Sequence, residues 1–292
     1  MDRVLLVDGN NLLIRAIKAT ERSEMSAGGV NTGPIVVFIN TLTRHVREES
    51  PDRLMVAWDS TRGSDYRLQI DPEYKGNRAT PTLDSEEIKF SAFWLAKEFL
   101  ASSNIFMVSR PGVEADDIIA AYWKQYQWTN KVLILSSDKD FMQLLTQGTE
   151  QIRLSSGGAP TDRWDEQRVL DELDYSPHDI PKIMALTGDK GDNVPGIQGI
   201  GPKTAVKILR EAGWVLDDIQ HSKVDGRMDE VKRNLSLVDL RNPRAVRSVG
   251  PIPHFSPTRP GEAMAPRLMS FFETYRLANI ESQWIAGNLW SR

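Results

Sequence analysis

Four stretches of the chain are nearly continuous in apolar residues and short enough to be strands: RVLLVDG (3–9), RLMVAWD (53–59), NIFMVSR (104–110) and KVLILSSD (131–138). Runs without polar alternation suit parallel strands covered on both faces. Between them lie longer segments of helical pattern: GPIVVFINTLTRHVREES, EEIKFSAFWLAKEFLASS and EADDIIAAYWKQY. This alternation predicts a doubly wound α/β sheet. A fifth strand is expected at QIRLSS (151–156), with a Gly-Gly turn after it. From about Glu166 the pattern changes to helices joined by Gly- and Pro-marked turns. The reading is therefore an α/β domain over 1–165 and a helical region over 166–292. In the second region VPGIQGIGPKTAVKIL compresses glycines and prolines ahead of an apolar helix. GPIPHFSPTRPGEAMAP should run extended, and PRLMSFFETYRLANIESQWI should pack back on the body.

Composition narrows the classes. At 292 residues, 40% hydrophobic and 26% charged, the chain is not a disordered tail. No apolar run approaches the ~20 residues that span a bilayer, so no membrane association is expected. MDRVLLVDGNN has an Asp inside its apolar stretch and no small-residue cleavage site, so it does not read as a signal peptide. The absence of cysteine removes disulfides, thiolate chemistry and zinc–thiolate sites, and fits a reducing cytoplasm. His45, His178, His221 and His254 are too scattered in sequence to suggest a histidine-built metal centre.

Three strand runs end in acid: Asp8, Asp59 and Asp138. Glu114, Asp116 and Asp117 follow the strand at 104–110, and Asp140 lies two beyond Asp138. Parallel strands share one carboxyl edge, where ligands bind, so seven carboxylates are expected on one rim. Asp189 and Asp192 add two more in LTGDKGDN. Singly, each has an ordinary explanation as a turn residue, a helix cap or a partner of a helix dipole. Crowded together they would repel one another, and a cation is the resolution. Oxygen ligands without Cys or His select Mg²⁺ or Mn²⁺, and two ions ~4 Å apart form the clamp of in-line phosphodiester displacement. The charge balance agrees. The net charge is −4, but setting nine clustered carboxylates apart from the 40 leaves 31 against 36 basic residues, a surface of +5.

GIQGIGPKTAVKIL suits the same substrate. Its glycines permit a tight hairpin whose backbone N–H groups face a phosphate, and the next helix adds its dipole. Lys203 and Lys207, four apart, share a helix face within reach of a DNA backbone. The string resembles a helix–hairpin–helix, a clamp for duplex DNA of any sequence.

Together the motifs resemble the structure-specific 5′ nucleases: flap endonucleases, phage 5′–3′ exonucleases and the N-terminal nuclease of bacterial DNA polymerase I. VDGNNL, AWDSTRGSDYR, EYKGNR, VEADDIIA, LSSDKDFMQLL and GDKGDNVPGIQGIGPKTA occur in that family's order over residues 3 to 210. The resemblance implies a PIN-like α/β fold with a mainly parallel sheet, a helical arch at about 74–100 and a helix–hairpin–helix at about 185–210. It implies two divalent ions, Mg²⁺ with Mn²⁺ substituting. Asp8, Asp59, Glu114 and Asp116 would serve one ion, Asp138, Asp140, Asp189 and Asp192 the other, with Asp117 near both. A K⁺ ion would sit on backbone carbonyls around Gly196, Ile197 and Ile200. Lys75 and Arg78 would grip the scissile phosphate, and Tyr74 would stack on an unpaired base or simply pack. Gly199, Gly201, Lys203, Thr204 and Lys207 would hold the DNA backbone. The expected protein is a free-standing monomer, with no polymerase following, that cuts branched or 5′-ended DNA. Rival readings are a junction-binding protein that does not cut, a PIN-type ribonuclease, and a phosphatase of the haloacid dehalogenase type. The first predicts missing carboxylates, the second a shorter chain without the hairpin. The third needs Asp at position 10, which is Asn.

Overall fold

The first apolar run forms β1 (Arg3–Asp8), which lies inside the sheet. Val4 to Val7 are fully buried, and alternate side chains enter different cores: Leu5 and Val7 one, Val4 and Leu6 the other. That two-sided burial is why the run carries no polar alternation. The computed structural model describes residues 1–23, 25–60, 63–77, 83–154, 161–253, 265–277 and 280.

Among these residues the main sheet has six strands. β2 (Arg53–Trp58), β3 (Phe106–Ser109), β4 (Lys131–Leu135) and β5 (Thr149–Arg153) run parallel with β1 in the order β3–β2–β1–β4–β5. β6 (Asp162–Trp164) closes the β5 edge antiparallel. The fifth expected strand stands as β5. Ser155, Ser156 and the Gly-Gly pair after them lie outside the described residues.

Helices cover both faces. α1 (Gly9–Ala19), α2 (Gly33–Glu49) and, after a short α3 (Asp65–Ile70), the long α4 (Leu83–Ser102) belong to the first face, with α1, α2 and α4 in its core. α5 (Ala115–Tyr126) fills the other face. The β1–α1 turn passes tightly over β2: a Cβ on Gly9 would lie 2.8 Å from the Ala57 carbonyl oxygen and 2.9 Å from the Trp58 ring.

The α/β body continues past the expected boundary at 165. Val169 of α6 (Glu166–Leu173) is buried against Met142, Leu145 and Trp164. The helical region then comprises α7 (Ile180–Thr187), α8 (Pro202–Glu211) and α9 (Met228–Val238), sharing Ile183, Leu186, Ile197, Ile200, Leu209 and Val231 in a core of their own. α10 (Pro243–Ser248) and α11 (Ala265–Thr274) return to the α/β body. Val249 enters the α5 core, while Leu268, Phe271 and Phe272 pack with Phe99 of α4, as the sequence suggested for the last helix. Most of the Pro-rich segment before α11 lies outside the described residues.

Part of the span 74–100 expected for an arch lies in the core. Ala92, Leu95, Ala96, Phe99 and Leu100 are core residues, so the second half of α4 is part of the body. Helix α9 is bonded at two places. The Asn234 amide donates to the Ala185 and Pro195 carbonyls at 3.1 and 2.7 Å. Two turns-end carbonyls, Ser236 and Leu237, accept from Tyr66 Oη at 2.6 Å and Arg67 Nε at 2.8 Å. No helix among the described residues is long and apolar enough to cross a membrane.

Candidate active site

The carboxyl ends of three neighbouring strands, β2, β1 and β4, form the floor of the site. Asp8 ends β1 and caps α1 by accepting from Asn11 N at 2.9 Å, while its other oxygen accepts from Ser136 Oγ at 2.9 Å. Asp59, just past β2, receives Ala115 N at 2.8 Å, and its own N–H donates to Asn10 Oδ1. Asp138, past β4, accepts from Asp140 N at 3.0 Å and so caps the turn of 3₁₀ helix at Lys139–Leu144. The capping reading of Asp138 is thus correct, Asp8 caps a helix where a turn role was the ordinary explanation, and the carboxylates still converge.

Glu114, Asp116 and Asp117 open α5. Among the described residues their carboxylate oxygens form a group within 4.8 Å of one another. A buried guanidinium braces them. Arg67 Nη1 donates to Glu114 Oε2 at 2.7 Å and to Asp117 Oδ2 at 2.6 Å, and Nη2 donates to Asp117 Oδ1 at 2.8 Å. Asp117 was expected near two ions, yet both its oxygens turn to Arg67 and it is 1% exposed. Lys75 donates from Nζ to Glu114 Oε1 and lies 3.6 Å from Asp192 Oδ2. Asp192 comes from the turn between α7 and α8, and Asp189, in the same turn, accepts from Gly191 N at 2.8 Å.

Burial pushes Asp8 up to about 7, helped by the charges of Asp59 and Asp138. Burial likewise raises Glu114 to about 7, with Asp116 adding to it against the pull of Arg67 and Lys75. Asp117 rises to about 6 by burial in spite of Arg67. Asp138 is raised by burial and by Asp116 and Asp192. Asp140 is raised further, by burial and then by Asp138, Asp189, Asp192 and Asp116. Burial opposes the charged form of Lys75, but Glu114, Asp116 and Asp192 outweigh it and hold the ammonium above its ordinary value. Asp140 Oδ1 is buried without a hydrogen-bond partner. Oxygen donors only, mutually raised, with one oxygen unsatisfied, fit hard divalent cations.

Sequence comparison identifies the family. The family description "5′-3′ exonuclease, N-terminal resolvase-like domain" matches residues 3–174, and "5′-3′ exonuclease, C-terminal SAM fold" matches 175–241. The chain belongs to the 5′–3′ exonuclease family. It is 33% identical to the 5′-3′ exonuclease of Bacillus subtilis over 244 residues, 82% of this chain and 81% of that one. It is also 33% identical to DNA polymerase I of Mycobacterium tuberculosis over 244 residues, but spans only 26% of that protein. In fold it is similar to the T5 5′-exonuclease with bound zinc ions, at a TM-score of 0.72 and 23% identity over 93% of this chain and 99% of that one. The Rad2 catalytic core in complex with DNA substrate aligns at 0.58 and 16%, covering 99% and 92%.

In this family member the turn between α7 and α8 needs glycine. A Cβ on Gly196 would lie 2.1 Å from the Thr187 carbonyl oxygen, and Gly199 has φ +77. Ile197 and Ile200 are buried anchors, and Ile200 N donates to Ile197 O at 3.0 Å. Gly201 caps α8 with open space where a side chain would be. Lys203, Thr204 and Lys207 then line a surface groove with Glu211 and His221. The exposed Lys207–Glu211 pair at 3.8 Å adds little to stability.

Tyr74 corrects one expectation. It is 5% exposed, packed with Val194, Leu237 and Val238, and its Oη donates to Asp192 Oδ2 at 2.8 Å, so the packing alternative holds and no ring face is offered to a base. Arg78 lies outside the described residues. Sequence reasoning missed Arg67, Ser136, Asn10 and Asn11, which hold the carboxylates or their backbone. Arg67 sits inside the AWDSTRGSDYR string, but one Arg beside a Tyr has no spacing that marks it as buried.

Proposed function

We propose that this chain is a metal-dependent, structure-specific 5′ nuclease that hydrolyses phosphodiesters near single-strand/duplex junctions in DNA. The carrying observation is the convergence of carboxylates from three strand ends, α5 and the α7–α8 turn, with Lys75 among them. The fold shared with the T5 5′-exonuclease and Rad2 supports it, one determined with divalent ions and the other with DNA. The chain spans about a quarter of the DNA polymerase I sequences it matches.

In this reading Asp8, Asp59, Glu114 and Asp116 hold one divalent ion and Asp138, Asp140, Asp189 and Asp192 a second, Mg²⁺ or Mn²⁺. Such a pair supplies Lewis acidity for an in-line attack by water and for the departing 3′ oxygen. Asp117 faces Arg67 and contributes charge from behind. Lys75, held at the carboxylates, reaches a phosphate drawn to them and offsets the charge that develops on it; Arg78 is assigned the same work. The α7–α8 hairpin presents Gly199, Gly201, Lys203, Thr204 and Lys207 to the duplex backbone, with K⁺ on carbonyls around Gly196, Ile197 and Ile200. All these groups come from one chain, which supports a monomer, and the bacterial relatives support a cytoplasmic location.

The test is incubation with a 5′-labelled flap duplex, in Mg²⁺ and in EDTA, beside single-stranded RNA. Mg²⁺-dependent products ending near the junction are expected. Binding without cleavage in Mg²⁺ or Mn²⁺ would leave a junction-binding protein, and preferential RNA cutting would leave a ribonuclease.

A further inference from the structure

Arg67 is 1% exposed and surrounded by acid. Its Nη1 and Nη2 hold both oxygens of Asp117 and one of Glu114, Asp116 Oδ2 lies 3.9 Å away, and Nε is fixed from behind by the Leu237 carbonyl of α9. The charge on the guanidinium is secured by Asp117, Asp116 and Glu114 against the cost of burial.

Stability alone does not call for such an arrangement, since a buried ion set is often matched or bettered by apolar residues of the same volume. What only a planar, doubly donating cation provides is direction. With Glu114 Oε2 tied down, Glu114 Oε1 is left on the Lys75 side of the carboxylate, toward Asp192. We propose that Arg67 is a positioning residue, which fixes Glu114 for a divalent cation, with Asp117 as its counter-charge and the end of α9 as its support. The proposal rests on the reading above only in that a divalent ion binds these carboxylates.

The test uses the whole chain without DNA. Free Mn²⁺ is counted by electron paramagnetic resonance for the wild type and Arg67→Lys, which keeps the charge and loses the fork. Mn²⁺ affinity should fall about 10–100-fold, the range seen when groups behind metal ligands are altered. The Mn²⁺ concentration giving half-maximal flap cleavage should rise in step, and excess Mn²⁺ should restore most of the rate. Flap affinity in EDTA should stay within about twofold, which a general loss of structure would not allow. A folded Arg67→Lys chain with unchanged Mn²⁺ affinity overturns the proposal. Should that variant fail to fold, the wild type decides by nuclear magnetic resonance: the Arg67 Nε–H signal should shift along the Mg²⁺ binding curve, and a signal indifferent to Mg²⁺ overturns it. A wild type that cuts no DNA but whose Mn²⁺ affinity depends on Arg67 would remove the nuclease reading and leave this one. Flap cleavage with an affinity indifferent to Arg67→Lys would do the reverse.

Discussion

Lys75 and Asp192 meet twice: the Lys75 amide donates to the Asp192 carbonyl at 2.9 Å, and the Lys75 ammonium lies 3.6 Å from the Asp192 carboxylate. The residue carrying these contacts has φ 58, a backbone region that costs a non-glycine residue about 1–3 kcal/mol. The loop from α3 is therefore tied by main chain and side chain to the turn that opens the hairpin.

Lys75→Ala should lower the single-turnover rate of flap cleavage by about 10²–10³, as for loss of one preorganised donor. Lys75→Arg should not restore it, because a planar fork replaces a compact ammonium. A normal rate for Lys75→Ala at saturating enzyme would reduce Lys75 to a charge that helps binding.

Asp140→Asn should abolish cleavage and leave flap binding equal or tighter, since it removes a carboxylate and also lessens repulsion of phosphate. Asp140 has an unpaired buried oxygen, so a neutral amide should be accepted without unfolding. Product release from a labelled flap and a binding isotherm in EDTA check the two halves separately.

Duplex binding should be indifferent to base sequence and weaken with salt by about 0.9 in log K per log salt for each phosphate held. Lys203→Ala should flatten that slope by about one unit. An unchanged slope would take Lys203, exposed on the hairpin groove, out of the interface.

The metal-free protein should melt at lower temperature as pH rises from 5 to 8. Asp8 and Glu114 are raised to about 7 and Asp117 to about 6, so the folded state binds protons that the unfolded state has released above about 4. The stability this gives is fully present below that unfolded value and is lost as pH rises through 6 to 7. Burial holds His45 and His178 below their ordinary value, and both work the other way on falling pH, against the five raised carboxylates Asp8, Glu114, Asp117, Asp138 and Asp140. Mg²⁺ binds the ionised carboxylates and should raise the melting temperature increasingly over the same window. Scanning calorimetry in EDTA and in Mg²⁺ measures both slopes; a metal-free protein that gains stability toward pH 8 would contradict the buried-acid account.

The strand ends were readable because unbroken apolar runs and a terminal Asp are local signals, and parallel pairing then sets Asp8, Asp59 and Asp138 on one edge. The hairpin was readable because Gly196 answers a steric demand within its own turn. Arg67 was not, because its partners lie 47 and 50 residues away and on α9, 170 residues along. In sequence Tyr74 fits two roles for the same reason: Val194, Leu237 and Val238, which bury it, belong to the other region. The burial of the second half of α4 escaped the sequence because the helix's large apolar residues fall on exposed positions, Phe90 and Trp94, as well as on buried ones, and only the tertiary core shows that Ala92, Leu95, Ala96, Phe99 and Leu100 are inside.

Helix α9 works as a tie. Its Asn234 is bonded to carbonyls beside the hairpin, and its Ser236 and Leu237 carbonyls to the Tyr66 and Arg67 that stand behind the carboxylates. The last turn of α9 thus ties the α7–α8 hairpin to α3, which stands behind the carboxylates. If the proposed function holds, the length of duplex between grip and cut is set by the protein, and flaps of different length and sequence would be measured from the same mark.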